Sequence, residues 1–256
     1  MQHPAVQSLQ LYPVSAAHRL PVGTPTYRAS PGRADKKEIS YHAVYHHYRK
    51  WSRDGSLERV FQHSILSIRE QIDTHHLNLD GSHAPAKKGG EAVAYQGRKK
   101  AKTSNVLPIT DANGFILATT GIVAGNHNDA FELKDNLRAA FKFIKRLGIA
   151  ITGSYFNADA AFDTKAARWT CFNHKLIPNI VENLRSRKQP KRGRKRLFNP
   201  DVYKRRFSSE RTFAWIDKFR ALLVRFDRKA AHFLGAHYIV YALINLRHLL
   251  ADQKVQ

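Results

Sequence analysis

The sequence predicts a mixed α/β or α+β domain with a central sheet, because strand-like and helix-like segments alternate along it. Three observations support this: amphipathic helical periodicity, short β-rich runs that end in turn residues, and one strong hairpin signal. With 256 residues, the chain is long enough for one large domain or for one domain with a small appendage. Hydrophobic residues make up 43% of it, which excludes a wholly disordered protein.

The N-terminal part carries no sheet signal. Residues 1–36 contain five prolines and no sustained period, so we expect an extended or disordered segment. From Lys37 apolar residues recur at near-helical spacing, Gly55 suits a helix stop, and Ser56 suits the cap of a second helix. Residues 37–78 are therefore predicted to form a helical hairpin.

The sheet is predicted from the segments that follow. Asn113-Gly114 lies between two β-rich runs, and Asn-Gly is a strong hairpin signal. The predicted elements are, in order, a short strand ending at Asp80, a hairpin over 106–124, a helix over about 129–147, strands over 149–157 and 175–180, and helices from Ser208 onward with a break near Asp227 or Gly235.

The composition indicates a polyanionic partner. The chain has 43 Lys and Arg against 20 Asp and Glu, a net charge of +23, which favours nucleic acid over membrane. Its single cysteine, Cys171, excludes an intramolecular disulfide and a Cys-rich zinc module. No secretory signal or membrane span is visible, so we expect an intracellular protein.

Two basic clusters are candidate contacts to DNA phosphates. Residues 185–196 contain eight Lys and Arg in twelve positions, too many like charges to pack, and residues 98–102 form a smaller cluster. Phosphate contact is the favoured interpretation of both, and a solvated flexible loop is the alternative. The candidate residues are Arg98, Lys99, Lys100, Lys102, Lys188, Lys191, Arg192, Arg194, Lys195 and Arg196.

Three carboxylates are candidate metal ligands. Asp80 and Asp159 each end a predicted strand, and Glu210 lies in the first turn of a predicted helix, so the three could converge at one edge of the sheet. Mg²⁺ prefers oxygen ligands, and paired Mg²⁺ ions serve phosphoryl transfer. Each acid also has an ordinary interpretation. Asp80 could be a turn residue, Asp159 could cap the helix that follows it, and Glu210 could interact with the dipole of its helix. Spacing alone does not decide between these.

Four sequence blocks carry a family resemblance. They read LNLDGSH over 77–83, a hairpin followed by Gly-x-x-x-Asp over 103–129, NADAAFD over 157–163, and Tyr-x-x-Arg-x-x-x-Glu over 203–210. Together they resemble the DDE transposases of bacterial insertion sequences, specifically the insertion sequence four/five superfamily, over about residues 37–250. The chain departs from that family at Ala160-Ala161, where Lys-Gly is usual, and at Asp217, where Lys is expected and Lys218 follows.

The resemblance implies a ribonuclease-H-like fold, a mixed five-stranded sheet with flanking helices. That catalytic domain would span residues 79–250, with the hairpin over 37–78 as a remnant N-terminal domain and 251–256 as a tail. The implied activity is magnesium-dependent cleavage and strand transfer at insertion-sequence ends. Asp80, Asp159 and Glu210 would hold two Mg²⁺ ions, with Mn²⁺ able to substitute.

The same resemblance implies contacts and partners. Tyr203, Arg206 and Lys218 would contact DNA, although an ion pair between Arg206 and Glu210 is nearly as well favoured. The partners would be double-stranded DNA, as terminal inverted repeats and as target, and a second copy of the chain, in the nucleoid of the bacterial cytoplasm. Two alternatives remain open, and the short stretch of 79 residues before Asp80 favours the first of them. One is a degenerate or truncated transposase that only binds DNA, and the other is a metal-dependent nuclease without strand transfer.

Overall fold

The computed structural model describes residues 39–183 and 196–252. The predicted extended segment over 1–36 and the basic loop, Arg196 excepted, lie outside the described residues. The elements are α1 (Tyr41–Arg53), α2 (Ser56–Ser67), β1 (His76–Leu79), β2 (Ser82–Pro85), β3 (Ala94–Gln96), β4 (Ala101–Val106), β5 (Pro108–Thr110), β6 (Ile116–Thr119), β7 (Val123–Ala124), α3 (Leu133–Arg146), β8 (Tyr155–Ala158), α4 (Lys165–Asn173), β9 (Ile177–Ile180), α5 (Pro200–Lys204), α6 (Phe207–Ile216), α7 (Arg220–Leu223) and α8 (Ala230–Asp252).

A five-stranded mixed sheet forms the centre of the fold. Its strand order is β6-β5-β1-β8-β9. The first three strands pair antiparallel, whereas β1, β8 and β9 run parallel. Parallel pairs need a crossover, which α3 supplies between the hairpin and β8 and α4 supplies between β8 and β9. This arrangement confirms the predicted ribonuclease-H-like sheet with flanking helices.

The two faces of the sheet carry different helices. Successive side chains of a strand point to opposite faces. On β8, the Phe156 ring lies 5.2 Å from the Phe141 ring of α3, so this face is covered by α3. The next residue, Asn157, donates to the Val202 carbonyl of α5, so α5 lies on the other face. The segment that carries Glu210 therefore approaches the sheet from the face opposite α3.

A second, smaller sheet was not predicted from the sequence. Strands β2, β4 and β3 pair in that order, and β7 also pairs with β4. The buried Arg225 guanidinium holds this sheet to the segment after α7: it donates to the Ser104 hydroxyl and to the Asp227 carbonyl. The sheet starts at Ser82, two residues after Asp80, so it builds one wall of the region around that acid.

The N-terminal helices form as predicted, with Gly55 between them. Gly55 has φ of 77°, a left-handed conformation that glycine adopts without strain. It is the N-cap of α2, so Ser56 is the first helical residue and not the predicted cap. The chain divides into two compact units after Arg49. In the second unit, α2 packs against α8 and buries Phe61 and Ile65.

Other element boundaries differ from the prediction. Helix α3 begins at Leu133, four residues later than expected. The break in the C-terminal helices lies over 224–229, close to Asp227, whereas Gly235 lies inside α8. Helix α8 continues to Asp252 and so enters the predicted tail. In the described part of the chain, no helix has both the length and the apolar character needed to cross a membrane.

The buried histidine of α8 should make stability depend on pH. Burial lowers the pKa of His237 from 6.5 to about 4, and its Nδ1–H donates to the Phe233 carbonyl at 2.8 Å. Protonation therefore favours the unfolded chain, and stability is lost as pH falls from 6.5 towards 4. Between pH 7 and pH 4.5 we expect the free energy of unfolding to fall by about 2–3 kcal/mol more than in His237→Leu. Urea unfolding measures this, and equal losses in both proteins would refute it.

Candidate active site

Two of the predicted acids lie side by side at the carboxyl ends of neighbouring strands. Asp80 directly follows β1 and Asp159 directly follows β8. These strands are parallel with Asn78 opposite Asn157, so the same register brings the two aspartates to one edge of the sheet. Asp80 Oδ1 accepts a hydrogen bond from the Gly81 amide at 2.8 Å. Asp159 Oδ1 accepts from the Ala161 amide at 2.7 Å and caps a short 3₁₀ turn.

The Asp80 carboxylate lies in an unfavourable electrostatic environment. Burial raises its pKa above the ordinary value, and the charges of Asp159 and Asp129 raise it further. The Gly81 amide and the Arg206 guanidinium lower the pKa and oppose this effect in part. Carboxylates that repel one another are stabilised by a cation placed between them. This edge of the sheet therefore favours binding of a positive charge.

Arg206 supplies one such charge. Its Nη2 lies 3.3 Å from Asp80 Oδ2, so the partner of Arg206 is Asp80 and not Glu210, the alternative considered from the sequence. Its Nη1 donates to the Tyr203 hydroxyl at 2.8 Å, and its guanidinium carbon lies 5.3 Å from the centre of the Tyr203 ring. Tyr203 and Arg206 do not share one continuous helix with Glu210, because the chain breaks between α5 and α6. Tyr203 thus orients Arg206 towards Asp80.

Glu210 faces the same cleft as Asp80. It lies in the first turn of α6, as predicted, and its side chain is exposed. A cleft of about 620 Å³ is lined by Asp80, Glu210, Lys99 and His83, among others. Within residues 39–183 and 196–252, no three His, Cys, Asp or Glu side chains come close enough to hold one metal ion. The structure therefore brings Asp80 close to Asp159, and Asp80 and Glu210 line one cleft.

The donor set of this edge fits a divalent cation of the magnesium type. Asp80 and Asp159 offer carboxylate oxygens, the ligands that Mg²⁺ takes together with water and phosphate oxygens. Burial raises the pKa of Asp80, and the charges of Asp159 and Asp129 add to this effect, so a cation at this edge would stabilise the Asp80 carboxylate. Asp80 and Asp159 are the pair best placed to hold it.

The structure adds a pair that sequence reasoning did not assign. His83 Nε2 lies 3.3 Å from Asp129 Oδ1, and Asn105 Nδ2 donates to the same oxygen at 2.9 Å. The hydrogen bond from His83 lowers the pKa of Asp129. His83 and Asp129 both lie in sequence blocks that carry the family resemblance, and this was the only sequence signal that could have pointed to them. Their pairing across 46 positions of sequence could not be derived from spacing.

The smaller basic cluster forms the tip of a hairpin beside the cleft. Arg98, Lys99 and Lys100 lie in the exposed turn between β3 and β4, and Lys102 is exposed on β4. Lys99 lines the cleft and donates to the His83 carbonyl at 3.0 Å. The structure therefore places Lys99 in the cleft that Asp80 lines, and it exposes Arg98, Lys100 and Lys102 on the same hairpin.

The remaining candidate DNA contacts are partly engaged within the protein. Arg196 pairs with the buried carboxylate of Asp163, to which Arg168 Nε also donates at 2.8 Å. Lys218 Nζ lies 3.7 Å from the centre of the Trp215 ring, and the guanidinium carbon of Arg247 lies 3.2 Å from the same centre. The other members of the basic loop, Lys188, Lys191, Arg192, Arg194 and Lys195, lie outside the described residues.

Comparison with protein families gives one match that spans this site. Residues 72–246 match the family model described as DDE superfamily endonuclease. The matched range covers more than half of the chain and includes Asp80, Asp159 and Glu210. The comparison with curated protein sequences finds no match.

Solved structures similar to the chain include three transposase complexes. For the piggyBac transposase synaptic complex with hairpin DNA, identity is 12%, 67% of this chain and 46% of that chain are covered, and the TM-score is 0.43. For the Mos1 transposase paired-end complex with the left transposon end, identity is 13%, 89% of this chain and 82% of that chain are covered, and the TM-score is 0.32. For the Mos1 mariner paired-end complex with Mn, identity is 13%, 89% of this chain and 80% of that chain are covered, and the TM-score is 0.31. The chain thus spans about half the length of the piggyBac chain.

Proposed function

The chain belongs to the DDE superfamily of endonucleases, and from this premise we propose that it is a DNA transposase of the insertion sequence four/five superfamily. Its reaction would be magnesium-dependent cleavage at the ends of an insertion sequence, followed by transfer of the cut strand to target DNA. The observation that carries the proposal is the acidic edge of the sheet, where Asp80 lies close to Asp159 and shares a cleft with Glu210. A carboxylate in a cleft whose pKa is raised by burial and by neighbouring acids is typical of a functional group, and a metal ligand is such a group.

The three acids would act as metal ligands. Asp80 and Asp159 would hold the first Mg²⁺, and Glu210 would complete the site from α6, with Mn²⁺ able to substitute. Bound Mg²⁺ would lower the barrier by stabilising negative charge on the attacking and leaving oxygens of the phosphodiester. The protein contributes mainly position and charge, since phosphoryl transfer needs little covalent help from side chains.

Arg206 would exchange partners when DNA binds. In the structure it balances the charge of Asp80 at 3.3 Å, and Tyr203 fixes its direction. When Asp80 holds a metal, the guanidinium becomes available to a phosphate oxygen, for which its planar donors are well suited. Lys99, which also lines the cleft, would neutralise a second phosphate. These two residues would position the scissile strand over the acids.

Double-stranded DNA would follow the basic surfaces around the cleft. The hairpin tip with Arg98, Lys100 and Lys102 would make one set of phosphate contacts. The loop over 185–196 and Lys218 would make others. Terminal inverted repeats and target DNA are the two proposed substrates, bound by a dimer in the nucleoid of the bacterial cytoplasm. We also propose the domain division given above, with the hairpin over 37–78 preceding a catalytic domain over 79–250.

An end-cleavage assay tests this function. The protein is incubated with Mg²⁺ and a labelled fragment that carries the inverted repeats flanking its own gene, and a plasmid is added as target. We expect nicks at the repeat ends that leave a 3′-hydroxyl, followed by joining of that end to the plasmid. Cleavage without joining would identify a nuclease instead, and binding without cleavage would identify a degenerate transposase.

A further inference from the structure

Three buried asparagines form a continuous row across the parallel half of the sheet. Asn78, Asn157 and Asn179 are 2%, 1% and 1% exposed. Each is the third residue of its four-residue strand, and the register places Asn78 opposite Asn157 and Asn157 opposite Asn179. Asn157 Nδ2 donates to Asn78 Oδ1 at 2.9 Å, and Asn179 Nδ2 donates to Asn157 Oδ1 at 2.8 Å. We call this row the amide ladder.

The amide ladder ties the sheet to the segment that leads into α6. Asn179 Nδ2 donates to the Asn199 carbonyl at 3.0 Å, and Asn179 Oδ1 accepts from the Asn199 amide at 2.7 Å. Asn157 Nδ2 also donates to the Val202 carbonyl at 3.3 Å. Asn199 in turn caps α5 by accepting from the amides of Asp201 and Val202. The start of α5 is therefore hydrogen-bonded to β8 and β9 at fixed points.

The two ends of this connection are the two halves of the candidate active site. Asn78 and Asn157 precede Asp80 and Asp159 by two residues each. Helix α5 leads through Arg206, which pairs with Asp80, into α6 with Glu210. Buried amides need partners, so a sheet face built only for packing would carry apolar side chains here. A satisfied polar network instead fixes one arrangement of the elements that it joins.

We propose that the amide ladder is a positioning device for the acid site, an inference that rests on the proposed function. It sets the distance of Arg206 and Glu210 from the two aspartates by fixing α5 on the sheet. The three asparagines are positioning residues, because their side chains are buried in the protein and act on the site through α5. Loss of one amide should displace Glu210 without removing any charged group from the cleft.

Asn157→Leu is the direct test, because leucine has a similar volume and no amide. Small misplacements of reacting groups slow catalysis strongly, so we expect the single-turnover cleavage rate at saturating DNA to fall by about 10- to 100-fold. The DNA dissociation constant should stay within about twofold, because the cationic surface is intact. Amide hydrogen exchange over residues 199–212 should become at least about tenfold faster, since α5 loses its attachment.

Asn245→Leu is the matched control. Asn245 is also fully buried, and its amide group donates to and accepts from the Ile116 backbone, both at 2.9 Å. It joins α8 to β6, two strands away from β1. We expect this variant to lose stability while its cleavage rate and the exchange over 199–212 remain unchanged. Equal effects of both variants would show that the amide ladder contributes only stability.

Two further measurements keep the proposal falsifiable. If Asn157→Leu does not fold, Asn179→Leu on the edge strand β9 removes the bonds to Asn199 and should give the same pattern. An unchanged cleavage rate or unchanged exchange over 199–212 in a folded variant would overturn the proposal. If the unaltered chain cleaves no DNA, the proposed function fails. The exchange comparison then still decides whether the amides hold α5 and α6.

Discussion

Replacing any one of the three acids is expected to abolish DNA cleavage while leaving DNA binding intact. Asp80→Asn, Asp159→Asn and Glu210→Gln each remove one negative charge and keep the shape of the side chain. A site with one carboxylate fewer holds Mg²⁺ weakly, so we expect the cleavage rate to fall by more than about a thousandfold. DNA affinity should remain equal or become tighter, because repulsion between the acid and phosphate is relieved.

The control for the acids is Asp201→Asn. Asp201 lies on α5, its side chain is 83% exposed, and it pairs only weakly with Lys204 at 3.7 Å. This variant has the same change in net charge and should cleave as fast as the unaltered chain. Cleavage in Mg²⁺ and DNA binding by fluorescence anisotropy should be measured on the same preparations. An acid variant that retained cleavage near the unaltered rate would not carry a metal ligand at that position.

Neutralising the hairpin tip should weaken binding to all DNA sequences alike. The triple variant Arg98→Gln, Lys100→Gln and Lys102→Gln removes three exposed cations and leaves Lys99 on the cleft wall. Each phosphate contact contributes nearly one unit to the slope of log K against log salt. At 0.15 M salt, the loss of one contact lowers the binding constant roughly fivefold. For the triple variant we therefore expect roughly a hundredfold weaker binding and a salt slope smaller by two to three units.

Three exposed cations of α3 provide the control for the hairpin. Lys134, Arg138 and Lys142 lie on α3, which covers the face of the central sheet opposite α5. Their replacement by Gln gives the same net charge, so a general charge effect would weaken binding equally in both triple variants. Titrations of a labelled duplex at several salt concentrations distinguish the two. An unchanged salt slope in the hairpin variant would show that its cations are only solvated.

The central sheet could be predicted from the sequence because local signals mark its strands. Asn113-Gly114 indicated the β5–β6 hairpin, and the short apolar runs indicated β1, β8 and β9, although β8 begins at Tyr155 and not at the predicted Ile149. The second sheet carried no such signal. Its strand β2 reads Ser-His-Ala-Pro, without alternation, and Pro85 and Gly89 suggest a loop. Its stability comes from distant partners such as Arg225, which no local pattern reveals.

The places of Asp80 and Asp159 at the ends of strands could be predicted, whereas the contacts around them could not. Resemblance to a family marked Asp80, Asp159 and Glu210, and the structure places the first two at the strand ends that the sequence indicated. The pairing of Arg206 with Asp80 joins residues 126 positions apart. From the sequence, the nearer Glu210 was nearly as good a partner. Each asparagine of the amide ladder, taken alone, is an ordinary residue in the sequence. That all three are the third residues of β1, β8 and β9 becomes evident only once these strands are aligned.

The most direct test of the account is where a divalent metal binds. Crystals of the chain grown with Mn²⁺ would show the metal by its anomalous scattering. We predict an anomalous peak coordinated by Asp80 and Asp159, with Arg206 displaced from Asp80. The peak should be absent from Asp159→Asn. A peak elsewhere, or an Asp80 still paired with Arg206 at saturating Mn²⁺, would contradict the assignment of these acids as the metal site.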